Sequence, residues 1–319
     1  MPVSRPPFDP ELSVALDALR AFLPTTLTPE MIQPMRETPP AVSIGEILAG
    51  RPLTRTDYTV PGHQGDPIAV TAFARERHTG GGPAIVQLHG GGMVLGERFG
   101  GIDQPLHWVE RFDAVCVTVG YRLAPEHPDP FPVEDCYAAL VWTADHASQL
   151  GVDADRIVIA GNSAGGGLAA GVALLARDRD GPPLLGQMLH YPMLDDRNET
   201  VSAHQIDGVG VWDRGSNETG WDALLGDRRR TDAVSIYSAP ARATDLSGLP
   251  PAYIDCSTNE VFRDEDVAYA SAIWAAGGLA ELHVWPGGFH GMDLLAPTAR
   301  LSTEMSAARD AWMARVLGA

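Results

Sequence analysis

One stretch of this chain leaves little freedom in how it can fold: RIVIAGNSAGGGLAAGVALLA, residues 156–176. Its first part is a short, almost wholly apolar run rich in β-branched residues, as expected of a strand buried on both faces. Its second part is rich in alanine and leucine and reads as a helix. Between them Gly161, Gly165 and Gly166 supply the small residues that a sharp strand-to-helix turn needs. Ser163 stands at the apex. A serine there is held in a strained conformation with Oγ pushed clear of the sheet, and the helix dipole favours negative charge beside it. G-x-S-x-G alone arises by chance in glycine-rich chains. Set between a buried strand and an alanine-rich helix, it marks Ser163 as a candidate nucleophile.

The rest of the chain repeats the same alternation. Strands are predicted at Asp57–Val60, Ile68–Ala74, Ala84–Leu88, Ala114–Val119, Ile157–Ala160, Leu185–His190, Ala252–Asp255 and Glu281–Trp285. Helices are predicted at Pro132–His146, Ala164–Arg177, Asp264–Ala276 and Thr303–Val316. In the first of these, Val133, Tyr137, Leu140 and Val141 recur at helical spacing. Such alternation implies an α/β architecture, a parallel sheet covered by helices with ligands at the carboxyl ends of the strands. Two regions break the pattern. Residues 1–50 hold an amphipathic stretch, Glu11–Phe22, followed by a proline-rich run from Pro24 to Pro40; residues 195–238 are polar and carry Trp212 and Trp221. Both read as pieces of a cap laid over the strand ends of a catalytic body at 51–319. The plainer alternative is a disordered tail and a surface loop.

Composition narrows the partners. Of 319 residues, 45% are hydrophobic and 20% charged, which is ordinary for a globular protein large enough to need no staples. The formal charge of −18 repels phosphate backbones and anionic membranes, so neither nucleic acid nor membrane is expected as a partner. The stretch beginning Met1-Pro2-Val3-Ser4 lacks the apolar core of a signal peptide, and no run approaches the ~18 apolar residues of a membrane span. Only three cysteines occur, Cys116, Cys136 and Cys256, with no CxxC or Cys/His cluster. They read as small buried hydrophobes in a reducing compartment, and the protein as cytoplasmic. No metal or cofactor site is expected. A homo-oligomer is neither indicated nor excluded.

A second motif, His89-Gly90-Gly91-Gly92, follows directly on the strand AIVQL. A tetrahedral acyl intermediate needs backbone N–H donors aimed at its oxyanion, and glycines let the backbone present them unobstructed. The motif lies upstream of Ser163 by the interval expected for the loop after a third strand.

Together, HGGGM, YRLAPEHPDPFPVEDCYAAL and GNSAGG resemble the hormone-sensitive-lipase family of α/β-hydrolases, which includes many bacterial carboxylesterases. The likeness runs from about Thr54 to the end, with three motifs in the family's order and spacing. It implies an eight-stranded, mostly parallel sheet flanked by helices. It also implies a helical cap from the N-terminus and from an insertion after strand 6, matching the two irregular regions. Gly91, Gly92 and Ala164 are then expected to supply the oxyanion N–H groups, with His89 supporting that loop.

The general base should be a histidine beyond the last strand. Of ten histidines only His283 and His290 lie near the C-terminus. His283 falls inside the strand-like ELHVW, whereas His290, in PGGFHG, matches the family's position. For the acid, the family shows D-P-L-x-D-E after the seventh strand. Here Glu260-Val261-Phe262-Arg263-Asp264-Glu265 aligns without a gap and puts Glu260 in the aspartate's place. Asp255, closing the strand AYID, is the rival. The resemblance implies a serine carboxylesterase acting on a small ester, short to medium in chain length, without cofactor. An amidase, lactonase or deacetylase would use the same triad. A non-catalytic receptor, as among plant gibberellin receptors, is disfavoured because those lack the histidine. Whether Trp212, Trp221, Met93 or Phe99 lines the pocket is not legible in the sequence.

Overall fold

The computed structural model describes residues 4–318; Met1, Pro2 and Val3 of the N-terminal stretch discussed above lie outside them, as does Ala319. Eight strands form one sheet: β1 Leu53–Pro61, β2 Pro67–Arg75, β3 Gly82–Leu88, β4 Val115–Gly120, β5 Val152–Asn162, β6 Gly186–His190, β7 Ala252–Asn259 and β8 Ala280–Phe289. Their order across the sheet is β1-β2-β4-β3-β5-β6-β7-β8. Only the β1/β2 and β2/β4 pairs are antiparallel; every pair from β4 to β8 is parallel. Each predicted strand is present, several of them longer than their apolar stretches.

The helices are α1 Pro10–Leu19, α2 Pro29–Glu37, α3 Ile44–Leu48, α4 Asp103–Phe112, α5 Phe131–Asp145, α6 Ala147–Leu150, α7 Ala164–Asp178, α8 Val201–Gln205, α9 Arg214–Leu225, α10 Arg263–Ala275, α11 Met292–Leu295 and α12 Arg300–Leu317. Strand periodicity divides the core between them. Ile157 and Ile159 of β5 join a cluster with α5, α7 and α10, whereas Val158 and Ala160 turn to Trp108 of α4 and Trp312 and Met313 of α12. Successive side chains point to opposite faces, so a strand covered on both sides must be apolar throughout. That is why β5 reads as an unbroken apolar run over Ile157–Ala160.

Two features depart from the sequence reading. Helix α4 buries Leu106, Trp108 and Val109, yet its first turn contains Pro105 and polar neighbours that mask its period. Strand β8 continues past Trp285 to Phe289 because it bulges: Ser257 and Asn259 of β7, two residues apart, face Trp285 and Phe289, four apart. Pro286, Gly287 and Gly288 fill this bulge rather than ending the strand.

The two irregular segments contact each other and the carboxyl-end loops. The Thr26 hydroxyl donates to Asp213 (2.6 Å), the Leu27 N–H to the Ser216 hydroxyl (2.8 Å), and the Thr219 hydroxyl to the Leu27 carbonyl (2.8 Å). Arg36 of α2 reaches the Val94 carbonyl at 2.7 Å and the Ala124 carbonyl at 2.5 Å. Among the described residues no helix is long and apolar enough to cross a membrane.

The long motif at residues 121–140 braces the loop after β3. Arg122 grips the buried carboxylate of Asp135 through Nε (2.9 Å) and Nη2 (2.7 Å), and Asp135 also accepts the His63 N–H at 2.8 Å. This pair fixes Tyr121, whose hydroxyl donates to the His89 carbonyl (2.9 Å) and whose ring stacks on the His89 imidazole at 4.2 Å and 11°. The His89 ring shares a hydrogen bond with the Gly90 carbonyl through Nδ1 at 2.8 Å. Burial pushes His89 down to about 4, so at neutral pH its imidazole is uncharged and Nδ1–H is the donor.

This yields a stability prediction. Unfolded, His89 takes up a proton near its ordinary value of about 6.5, while folded it does so only near about 4. Between these values the unfolded state binds more protons, so stability falls as pH falls. Urea unfolding of wild type and His89→Asn at several pH values should isolate the effect, since the other groups cancel. Wild type should lose on the order of 3 kcal/mol relative to the variant between pH 6.5 and about 4. Parallel curves would show that His89 protonates freely in the folded protein.

Candidate active site

Strand β5 ends at Asn162 and α7 begins at Ala164, which leaves Ser163 alone in the turn with φ 58° and ψ −121°. A non-glycine residue persists there only if its surroundings hold it. The Ser163 N–H donates to the His190 carbonyl at 2.9 Å, and its own carbonyl accepts the N–H groups of Gly167 and Met193, both at 3.0 Å. The first turn of α7 presses against the end of β3. A Cβ on Gly165 would stand 2.2 Å from the Leu88 carbonyl oxygen, so glycine alone permits this approach. That contact brings the loop after β3 beside the serine.

On that loop Gly91 and Gly92 both have positive φ, 117° and 62°. A Cβ on Gly92 would stand 2.2 Å from Cη2 of Trp212, so the indole lies directly on the glycine backbone. Among the described residues, none of the N–H groups of Gly91, Gly92 and Ala164 donates to a backbone carbonyl outside its own helix or strand. Ala164 opens the helix at the elbow and Gly91 lines the cleft over Ser163, where donors to an oxyanion would be needed.

The imidazole of His290 lies between Ser163 and Glu260. Its Nε2 is 2.9 Å from Ser163 Oγ, and its Nδ1 is 2.5 Å from Glu260 Oε1. The other carboxylate oxygen of Glu260 accepts the Ser257 N–H at 2.9 Å. Glu260 is 0% exposed. Burial raises its carboxyl above the ordinary value, opposed by the adjacent imidazole and the Ser257 N–H. With Nδ1–H donating to the carboxylate, Nε2 is left to accept the serine proton. The His290 ring is held edge-on by Tyr191 at 4.8 Å and Phe262 at 5.2 Å.

The other candidates lie elsewhere. Asp255, within β7, pairs with Arg309 of α12 at 2.8 Å, away from the histidine. His283 is 2.9 Å from Glu281 on its own strand and stacks against Trp285. A cleft of about 320 Å³ opens over Ser163 and His290, walled by Leu95, Tyr191, Trp212, Leu294 and Leu295. Of the four residues left open by the sequence, Trp212 lines it. Trp221 and Met93 are buried in the core, and Phe99 lines a neighbouring hollow of about 540 Å³ that shares Gly96, Gly100 and Gly101 with the cleft. Tyr191 and the leucines of α11 carry no motif of their own in the sequence. Their nearness in chain to His190 and His290 was the only signal.

Known proteins resemble this chain in sequence and in fold. The family profile of the alpha/beta hydrolase fold matches residues 85–294. Esterase LipI of Mycobacterium tuberculosis is 38% identical over 209 residues, which span 63% of this chain and 62% of that protein. Carboxylesterase NlhH of the same species is 35% identical over 319 aligned residues, 94% of either chain. Among solved structures, a bacterial heroin esterase superposes with a TM-score of 0.90 at 38% identity, covering 97% of this chain and 98% of that one. Esterase LipW from Mycobacterium marinum does so with a TM-score of 0.85 at 32% identity, covering 98% of each. The chain belongs to the α/β-hydrolase family, in its hormone-sensitive-lipase-like group.

Proposed function

We propose that this protein is a serine carboxylesterase that hydrolyses short- to medium-chain esters through an acyl-enzyme on Ser163. The observation that carries the reading is the unbroken hydrogen-bonded row from Ser163 Oγ through His290 to the buried Glu260. The esterase and carboxylesterase names of its relatives support the same chemistry.

His290 takes the hydroxyl proton as Ser163 Oγ attacks the ester carbonyl, and Glu260 orients the imidazole and stabilises its charged form. The oxyanion rests on the N–H groups of Gly91, Gly92 and Ala164. His290 then returns its proton to the departing alcohol, and a water activated by the same imidazole hydrolyses the acyl-enzyme. Residues 1–50 and 195–238 act as a cap over the catalytic body at 51–319, in keeping with the bonds between Thr26, Leu27, Asp213 and Ser216. Cys116, Cys136 and Cys256 are free and buried, in keeping with a cytoplasmic enzyme.

The cleft sets the acyl preference. Its walls, Trp212 and Leu295 among them, are largely apolar, and it holds about 320 Å³. On p-nitrophenyl esters kcat/KM should peak at about eight carbons or fewer, since each added methylene gains only while the pocket can hold it. Ser163→Ala should lose roughly three or more orders of magnitude in kcat while remaining folded. Rates climbing to long-chain emulsions, or Ser163→Ala within tenfold of wild type, would contradict the proposal.

The acid is tested separately. Glu260→Gln should cost on the order of 10³ to 10⁴ in kcat, as when an orienting carboxylate loses its charge. Glu260→Asp should be intermediate, because the charge remains while the reach shortens. Asp255→Asn should cost far less. If Asp255→Asn cripples turnover and Glu260→Gln leaves it intact, the roles are reversed.

A further inference from the structure

Behind the histidine lies a buried charged cluster that the proposed chemistry does not use. Arg309 of α12 is 1% exposed. Its Nε donates to Asp255 Oδ2 at 2.8 Å and its Nη2 to Asp255 Oδ1 at 3.1 Å. Its Nη1 donates to Asp293 Oδ2 at 2.6 Å and to Gln104 Oε1 at 3.2 Å. Asp293 in turn accepts the Tyr191 hydroxyl at 3.0 Å. Tyr191 is the ring that meets His290 edge-on at 4.8 Å and an interplanar angle of 73°. Asp293 lies three residues past His290, in the short helix α11 whose Leu294 and Leu295 wall the cleft. A single guanidinium therefore ties strand β7 to both elements that flank the histidine.

Stability alone does not account for such a group. Burying a cation with two carboxylates has a desolvation cost that can match or exceed the Coulombic gain, and apolar residues of similar volume often do as well. A planar guanidinium does offer fixed directions, with several donors in one rigid fork. One of those directions ends on Asp293 in α11, beside the histidine, while another is fixed by Asp255 on β7. Glycines on both sides, Gly287 and Gly288 before His290 and Gly291 after it, leave that stretch of backbone with little intrinsic stiffness. Its position is set from outside, before His290 by the pairing of Phe289 with Asn259 and the Gly287 N–H donated to the Thr258 hydroxyl at 2.8 Å, and after it by the packing of α11. Catalysis is sensitive to this, because displacement of a reacting group by about 1 Å can cost about 10²-fold in rate.

We propose that Asp293, held by Arg309, is a positioning residue for His290, acting through α11 and the ring of Tyr191. Arg309 touches no reacting atom. Asp255, the carboxylate that rivals Glu260 in the sequence, serves as the anchor that orients the guanidinium. The proposal rests on the reading of His290 as general base.

The test is a double-mutant cycle on p-nitrophenyl acetate, with melting temperatures measured alongside. Asp293→Ala and Tyr191→Phe are each made in the wild-type and His290→Ala backgrounds. In wild type, Asp293→Ala should lower kcat about ten- to a hundredfold with KM changed by no more than about twofold. Tyr191→Phe, which removes one hydroxyl and keeps the ring, should lower kcat by a smaller factor. With the histidine gone neither should change the residual rate by more than about twofold, because a residue acting through His290 has nothing left to position. A folded Asp293→Ala with wild-type kcat would overturn the proposal, as would an equal proportional loss in both backgrounds. Should Asp293→Ala fail to fold, Tyr191→Phe decides by the same comparison. Near-wild-type turnover of His290→Ala itself would instead remove the esterase reading underneath, a failure visible in the parent variant alone.

Discussion

Everything at this site depends on one backbone constraint, the left-handed conformation of Ser163 at the junction of β5 and α7. A serine with φ near 58° is strained, and three backbone hydrogen bonds offset that strain: its N–H to His190 and its carbonyl from Gly167 and Met193. Those bonds also dictate what surrounds the serine. The bond to His190 joins the elbow to the end of β6, from which Tyr191 follows. The tight packing of Gly165 on the Leu88 carbonyl draws the loop after β3 to the same point. The end of β6 and the glycine loop thus meet at the serine, whose Oγ faces His290 Nε2 at 2.9 Å.

The fold was largely legible because its central strands have no wet face. An uninterrupted apolar run such as that of β5 admits few interpretations when glycines and an alanine-rich stretch follow it. Helix α4 escaped because Pro105, Gln104 and His107 interrupt its period, although Leu106, Trp108 and Val109 bury one face. The end of β8 escaped because Pro286, Gly287 and Gly288 resemble a strand terminator. Only the pairing with β7 identifies them as a bulge.

At the site, residues with local signatures were legible and those defined by long-range contact were not. Ser163 and the glycines of the loop after β3 declare themselves by the turns they make. His290 and Glu260 come together across thirty residues with Ser163 from a third element, yet position in the chain alone left Glu260 and Asp255 in competition. What separates them is the face of the sheet. Asp255 is committed within β7 to the side of α12 and Arg309, while Glu260 has just left the strand and can reach the histidine. Trp212 and Trp221 likewise lie in one polar segment and look alike in sequence. Only Trp212 rests on Gly92, so only Trp212 faces the cleft.

The substitution of glutamate for the family's usual aspartate fits this picture. Ser257 N–H fixes one oxygen of Glu260 while the other meets Nδ1 of His290, so the longer side chain is restrained at its carboxylate. The chemistry depends on whether this row of groups makes Ser163 a nucleophile. Treating the folded protein with a fluorophosphonate and mapping the adduct by mass spectrometry tests that most directly. One phosphonyl group on Ser163, with labelling strongly slowed in His290→Ala, is the predicted result. Stoichiometric labelling at another residue, or no labelling of the folded wild-type protein, would contradict it.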